Sequence, residues 1–468
     1  MNKKYFCLFA AIIILFLSTK ISPAQDREKA FQEQEIREAL AETALAEKVD
    51  KNFLYDYGAW LRISPYRFGD PDQRRSMIVY DNRIWVKSTI KKHHEFYFRM
   101  KTLVVDYNNH ASYIGDDEYL VKPKMDQGYY KIDLVNSLFD VKEARMIYPA
   151  VSLQLGRQYY LLGTGLIYNR VDDGANLELN YGNFESTILA AQSDKETEDI
   201  DRTRPGARHS RRHFVGIQLN YKELGRHQPY IIGLMQKDFN KEKPVDTFQN
   251  YRYDSNYFGA GVNGAIIPRL EYTAEFVNET GSSYGNSSTK DKDHIKANAN
   301  VLQLRYLPEI FMKPVVTMRY LSGSGDGNRS SVTNTKGGNR KGTDDRNFLY
   351  FGYALTGYVV EPRISNLQVY NMTIAAKPID NKEFMEDTEV GVSYYLYNKI
   401  KRKGAISDLN ASRPRYDVGK EIDLYLNWKV MSDSTVSVKY GSFMPGAAYP
   451  NNLDRKITFF NINFTYSF

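Results

Sequence analysis

The feature that most restricts this chain is an alternation of apolar and polar side chains that begins at Phe53 and runs to the last residue. In "EIDLYLNWKV", Ile422, Leu424, Leu426, Trp428 and Val430 fall on one side, and Glu421, Asp423, Tyr425, Asn427 and Lys429 on the other. Successive side chains of a strand point to opposite faces, so such a segment has one apolar and one wet face. Strands of soluble sheets run roughly 5 to 6 residues. These run closer to the roughly 9 to 11 that a tilted strand needs to cross a bilayer. Eighteen segments are predicted, starting near residues 53, 78, 93, 128, 149, 173, 183, 211, 228, 252, 268, 294, 313, 364, 385, 416, 433 and 455. An even number fits a single-chain membrane barrel with both ends on the periplasmic side.

The connections alternate between short and long, as barrel turns and outer loops do. Tight links such as "YGNF" (Tyr181 to Phe184) and "SDS" (from Ser432) are followed by long ones such as Ser193 to Ser210 and Lys401 to Arg415. Ser137 to Pro149 is longer than this rhythm predicts. The chain ends "FFNINFTYSF", with Phe460, Ile462, Phe464, Tyr466 and Phe468 on the apolar face. An open sheet edge in hydrocarbon leaves backbone groups unpaired at several kcal/mol each. The last strand is therefore expected to pair with the first, around "LYDYGAWLRIS" (Leu54 to Ser64). The expected fold class is all-β: a transmembrane antiparallel β-barrel of about 18 strands with a short N-terminal helix.

Ahead of the barrel, residues 1–24 read as a signal peptide. Lys3 and Lys4 precede thirteen apolar residues, Tyr5 to Leu17, and Ser22-Pro23-Ala24 offers a cleavage site. Thirteen residues are too few for a membrane-spanning helix, which takes about 20. Residues 25–52 form a periplasmic arm, helical on propensity over 26–50, with no apolar stripe; a partner on the periplasmic side is one use for it. The only cysteine, Cys7, lies in the signal, which excludes disulfides, thiolate metal sites and a cysteine nucleophile from the mature chain. Removing Lys3, Lys4 and Lys20 takes the net charge from +7 to 7 − 3 = +4, no basis for nucleic-acid binding. Aromatic residues at 14% with a mean hydropathy of -0.53 suit strands that are half lipid-facing and half wet.

Alternation assigns the inward charges. The first three strands contribute Arg62, Arg83, Lys87, Arg99 and Lys101, and the last two Lys439 and Arg455, which closure would join into one basic arc. Lys131, Arg157, Arg305 and Arg319 add pore-lining positive charge elsewhere, opposed by Glu178, Glu271, Glu275, Glu421 and Asp423. Arcs of opposite sign set a transverse field, and a basic wall concentrates anions. Equally, these charges can pair with one another and stiffen the wall. Inward Trp60, Trp85, Tyr97, Tyr395 and Tyr425 could stack on sugar rings or simply pack.

The stretch Gly323 to Arg363 opens with "GSGDGNRSSVTNTKGGNRKG", flexible and exposed by composition, and closes with "NFLYFGYALTGYVV", too apolar for a loop in water. The second half is predicted to fold into the barrel and narrow it. "RPGARHSRRH", containing His209 and His213, reads as a patch for lipopolysaccharide or an anionic substrate rather than as catalytic machinery. Acids in "GDDEY" from Gly115 could take calcium, but a solvated loop is the simpler reading. No catalytic residue, cofactor or metal ligand is assigned.

Three stretches resemble the alginate export family of eighteen-strand outer-membrane porins. They are "VGKEIDLYLNWKV" with "VKYGSFMPGAAY" and the closing strand; "LQLGRQYYLLGTGLIYN" with "DGANLELNYGNFESTILAA"; and "ISNLQVYNMTIAAKP". The chain departs from the family where Leu166, rather than Arg, follows Gly165. Phe464, Tyr466 and Phe468 also resemble the signal read by the bacterial outer-membrane assembly machinery. The resemblance implies a channel for hydrophilic, anionic solutes such as sugar acids or anionic polysaccharide, and not an enzyme. The alternatives are a non-selective porin, or a structural or adhesion barrel that anchors long surface loops.

Overall fold

In the computed structural model the described residues are 53–69, 74–108, 118–139, 150–194, 200, 211–239, 250–288, 290–330, 332, 335, 338–379, 385 and 387–468. The expected signal peptide and helical arm, most of the Arg-rich loop and the "GDD" acids lie outside them. Eighteen strands form one sheet. They are β1 (Phe53–Gly69), β2 (Arg74–Ile90), β3 (His94–Asn108), β4 (Glu118–Asp133), β5 (Ala150–Leu162), β6 (Tyr168–Tyr181), β7 (Phe184–Gln192), β8 (Arg212–Tyr221) and β9 (His227–Asp238). They continue as β10 (Asp254–Ile267), β11 (Leu270–Ser283), β12 (Asp293–Tyr306), β13 (Val315–Gly323), β14 (Leu367–Ala376), β15 (Glu389–Lys399), β16 (Asp417–Met431), β17 (Ser434–Pro445) and β18 (Ile457–Ser467). A six-residue helix, α1 (Leu134–Phe139), occupies the over-long connection after β4. Strand β4 begins at Glu118, well before the position near 128 that alternation suggested.

Each strand pairs antiparallel with its sequence neighbour, and β18 returns to β1 in register from Trp60 opposite Ser467 to Gly69 opposite Thr458. The closing backbone bonds are Ala59 N–H to Phe468 O at 2.9 Å and Phe468 N–H to Ala59 O at 3.0 Å. The aromatic terminus is thus a rung of the ladder. Every strand therefore has a hydrogen-bonded neighbour on both sides, and the sheet closes on itself, as hydrocarbon requires.

Exposure is inverted relative to a water-soluble protein. Ile84 is 59% and Phe276 45% exposed, whereas Arg83, Arg99, Glu275 and Glu421 are buried. Charged residues are rarely buried in soluble proteins unless paired; here the apolar face meets lipid and the polar face lines the interior. One rim is closed mostly by tight turns, the β4–β5 connection with α1 and the β14–β15 connection being the longer links there. In the three-residue connection Lys91-Lys92-His93 between β2 and β3, Lys91 and Lys92 take φ of 51° and 64°, the left-handed backbone that tight hairpin turns use. The opposite rim carries the longer connections. The largest, between β13 and β14, does not stay at the rim.

Candidate functional site

The second half of that connection crosses the barrel interior as a strap. Its first anchor is on β6 and the turn before it: Phe351 N–H donates to Ile167 O at 3.2 Å, Tyr353 N–H to Gly165 O at 3.0 Å, and Phe351 pairs with Tyr168 as an isolated parallel bridge. Leu166, where the family resemblance led one to expect Arg, is buried beneath this anchor. Around it Leu349 N–H donates to Glu279 at 3.0 Å, Tyr257 Oη donates to Leu349 O at 2.7 Å, and the Phe351 ring packs edge-on against Phe214.

The second anchor is on β13, β15 and β16. Arg319 donates to Leu355 O, and Tyr397 Oη donates to Thr356 O at 2.7 Å. Glu421 Oε1 accepts the backbone N–H groups of Tyr358 at 2.6 Å and Val359 at 2.8 Å, and Asp423 accepts Tyr358 N–H at 3.1 Å. Successive backbone N–H groups converging on a carboxylate form an anion nest, here filled by the wall itself. Gly357 has φ 113°, and a Cβ there would stand 2.5 Å from Glu421 Oε1. Strands β6 and β16 are ten apart in a ring of eighteen, close to opposite each other. The seven steps from Phe351 to Tyr358 span at most about 23 Å at roughly 3.3 Å per extended residue, and the inward side chains of Arg319, Tyr397 and Glu421 reach in from the wall to meet the strap. The strap then ends with Tyr358 and Val359 packed on Tyr66, Met77, Val79, Val105 and Phe459.

The Gly-rich first half is less free than its composition suggested. Arg329 pairs with Asp345 at 3.1 Å and Asp326 at 3.5 Å, and Asn339 donates to Asp293 at 2.9 Å, all buried. Burial, opposed by Arg329, holds the Asp345 carboxyl above its usual range.

The wall of β1 to β4 carries a charge network. Arg83 pairs with Asp81 at 2.9 Å and Asp126 at 3.2 Å, Arg99 with Asp126 at 2.7 Å, and Lys101 with Asp81 at 3.7 Å. Trp60 lies under both guanidinium groups, 5.4 and 5.1 Å from its ring. Irregular register between β3 and β4 at Arg99 and Met100 brings Asp126 to this face. Nearby, Tyr97 stacks on Trp85 at 6.2 Å and on Tyr129 at 5.2 Å.

Other expected residues are paired as well. Lys87 meets Glu95 at 2.9 Å, Lys131 meets Glu178 at 3.3 Å, and Arg305 meets Glu271 at 3.3 Å. Glu275 accepts from Thr164 Oγ1 and Tyr230 Oη, both at 2.7 Å. Lys439 lies 5.0 Å from the Tyr358 ring, and Arg62 donates to Thr465 at 3.0 Å. Glu421 and Asp423 hold the strap instead of facing the basic wall.

Two placements differ from expectation. Arg157 follows Leu153 and Leu155 in the alternation, on the face opposite buried Gln158 and Tyr160, and pairs with Asp173 at 3.3 Å and Asp194 at 3.5 Å. It is not inward. Arg455 lies exposed in the connection before β18, because the strand starts only at Ile457, so it does not extend the arc. Of the terminal aromatics, Phe464 is half-buried opposite Ile63, Tyr466 is exposed, and Phe468 is 65% exposed. Asp81 was legible, being two residues from Arg83; Asp126 was not, because its direction depends on the irregular register.

Among the described residues no group of three or more His, Cys, Asp and Glu is arranged to hold a metal ion. Over residues 71–463 the chain matches the family model described as "Alginate export". No curated protein sequence matches the chain. Among solved structures it is similar to Pseudomonas aeruginosa OccK11 (OpdR), with TM-score 0.55 and 13% identity over 90% of this chain and 98% of that one. It is also similar to P. aeruginosa OccK5 (OpdH), TM-score 0.56, 11% identity, 88% and 98% covered. A third is P. aeruginosa OccK2 (OpdF), solved in complex with glucuronate, TM-score 0.56, 11% identity, 89% and 99% covered. At these identities the likeness is one of fold.

Proposed function

The chain belongs to the alginate export family, and from that membership we propose that it is a bacterial outer-membrane channel whose cargo is hydrophilic and anionic, namely sugar acids or anionic polysaccharide. The observation that carries the reading is the strap tied at β6 and at β16. A barrel that only anchors surface loops gains nothing from a segment drawn across its interior, whereas a pore uses one to set its width. Three features support an acidic-sugar cargo: the wall cations Arg62, Arg83, Arg99 and Lys101, the stacked row Trp85, Tyr97 and Tyr129, and the glucuronate held by the structurally similar OccK2. Arg62 has no ion pair among the described residues, which makes it the wall cation best suited to meet a passing carboxylate.

In this reading the tight turns and both termini face the periplasm, the long connections face outward to lipopolysaccharide, and Phe464, Tyr466 and Phe468 engage the assembly machinery. The arm at 26–50 is available to a periplasmic export partner. The pairing of Arg83, Arg99, Lys87, Lys131 and Arg305 with acids favours a second reading, a porin with little charge preference. Planar-bilayer recording under a salt gradient separates the two: a reversal potential of anionic sign, with current blocked by oligouronate, supports the first. A cationic sign, or oligouronate without effect, removes it.

A further inference from the structure

We infer that the rim of long connections carries an oxyanion site for a saccharide bearing two or more phosphate or carboxylate groups, built from Arg402, Lys403, Arg413 and Arg415. These residues, with Pro414 and Asn451, line a cavity of about 630 Å³ between the β15–β16 and β17–β18 connections, and no acid lines it. The contrast with the barrel wall is the first argument. There Arg83, Arg99, Lys87, Lys131 and Arg305 each have a carboxylate; here, among the described residues, none of the four cations is in an ion pair.

The second argument is that the frame is fixed by hydrogen bonds to neutral groups, with no carboxylate paired to the four cations among the described residues. Lys399 at the end of β15 donates to Ala411 O at 2.8 Å and Arg413 O at 3.3 Å. Arg413 N–H donates to Ala448 O at 2.9 Å, and its Nη1 to Asn451 Oδ1 at 2.8 Å. Arg415 N–H donates to Arg413 O at 2.8 Å, a three-residue turn centred on Pro414, whose fixed φ suits an inverse γ-turn. Asp408, the acid of this connection, is turned away to accept from Tyr449 Oη. Like charges held together repel, and among the described residues no carboxylate pairs with any of the four.

The third argument is size and chemistry. A guanidinium fork binds carboxylate or phosphate through two parallel hydrogen bonds. The cavity falls in the range of small-molecule sites, roughly 300 to 1,000 Å³, and exceeds what one inorganic anion fills. Such a ligand has two sources, the phosphorylated sugars of lipopolysaccharide in the outer leaflet and an acidic sugar chain at the channel mouth. The inference does not require that the barrel conduct.

The test is calorimetric titration of the full chain in non-ionic detergent with two probes, trigalacturonate and a bisphosphorylated lipopolysaccharide core oligosaccharide. At least one is expected to bind saturably, with affinity reduced tenfold or more in R402Q/R415Q, reduced by added salt, and unchanged in Lys222→Gln on the opposite rim. Should the double variant not fold, Lys403→Gln serves, with a loss of severalfold. Binding of the uronate alone assigns the solute as source, of the core oligosaccharide alone the leaflet, and of both a shared site. Saturable binding of neither probe, or binding indifferent to these variants, overturns the inference, whatever the conductance measurements give.

Discussion

Glu421 on β16 accepts the backbone N–H of Tyr358 at 2.6 Å, joining the strap to the wall nearly opposite its other anchor on β6. Hydrogen bonds to a charged group contribute about 1.5 to 3 kcal/mol each. Glu421→Gln keeps the shape and removes the charge. Hydrogen exchange at the Tyr358 and Val359 amides is expected to quicken by about tenfold to a hundredfold, in line with losing one such bond. Unchanged exchange would mean that packing alone holds the strap.

Gly357→Ala tests the same anchor from the strap side. Its Cβ would meet Glu421 Oε1 at 2.5 Å and Tyr397 Oη at 2.6 Å on a backbone with φ 113°, so the turn must shift. The variant is expected to insert and close normally, and to show added open-channel noise in single-channel records. Gly182→Ala, where a Cβ meets nothing within 4 Å, controls for the backbone effect of glycine at positive φ and is expected to leave the current unchanged.

Asp126→Asn leaves Arg83 and Arg99 without one of their carboxylates. Breaking a fully buried pair costs about 3 to 5 kcal/mol; the Asp126 side chain is 18% exposed, so a smaller loss is expected here. The unfolding temperature in detergent is expected to fall while the reversal potential moves toward anions. A lower stability without any change in selectivity would show that this network stiffens the wall and is not sensed by ions.

Asp408 supplies a pH test at the outer rim. Burial raises its pKa above the ordinary carboxylate value of 3.8, against the opposing effects of the Tyr449 hydroxyl, the Asn410 N–H and Lys399. A carboxyl raised in the folded state binds more protons folded than unfolded, so its contribution to stability is lost as pH rises from the unfolded pKa through the folded one. Asp408→Asn removes that loss. The difference in unfolding temperature, variant minus wild type, should therefore grow as pH is raised from below 3.8. A difference independent of pH would contradict the assignment.

Alternation and the cost of an open edge were enough to read the barrel, because both act along a single strand: Phe460 to Phe468 on the last strand and Leu61 to Ile63 on the first already demand each other. The apolar run Phe348 to Tyr353 likewise announced a segment that leaves the water. The identity of each charge's partner was not legible, because it depends on register between strands. Asp126 reaches Arg99 only through an irregularity. Arg157 would have been read correctly by carrying the phase of Leu153 and Leu155 through Gly156. The four rim cations could not be found by strand logic at all. Their convergence depends on how two connections, separated by two strands, fold against each other.

The central claim is that a strap tied at both ends sets the width of a conducting pore. Single-channel conductance of the wild type should be compared with that of a chain in which residues 344–362 are replaced by a short Gly-Ser link. A smaller, steady current in the wild type and a larger one in the deletion is the result predicted here. No current from either chain, or equal conductance from both, would contradict it.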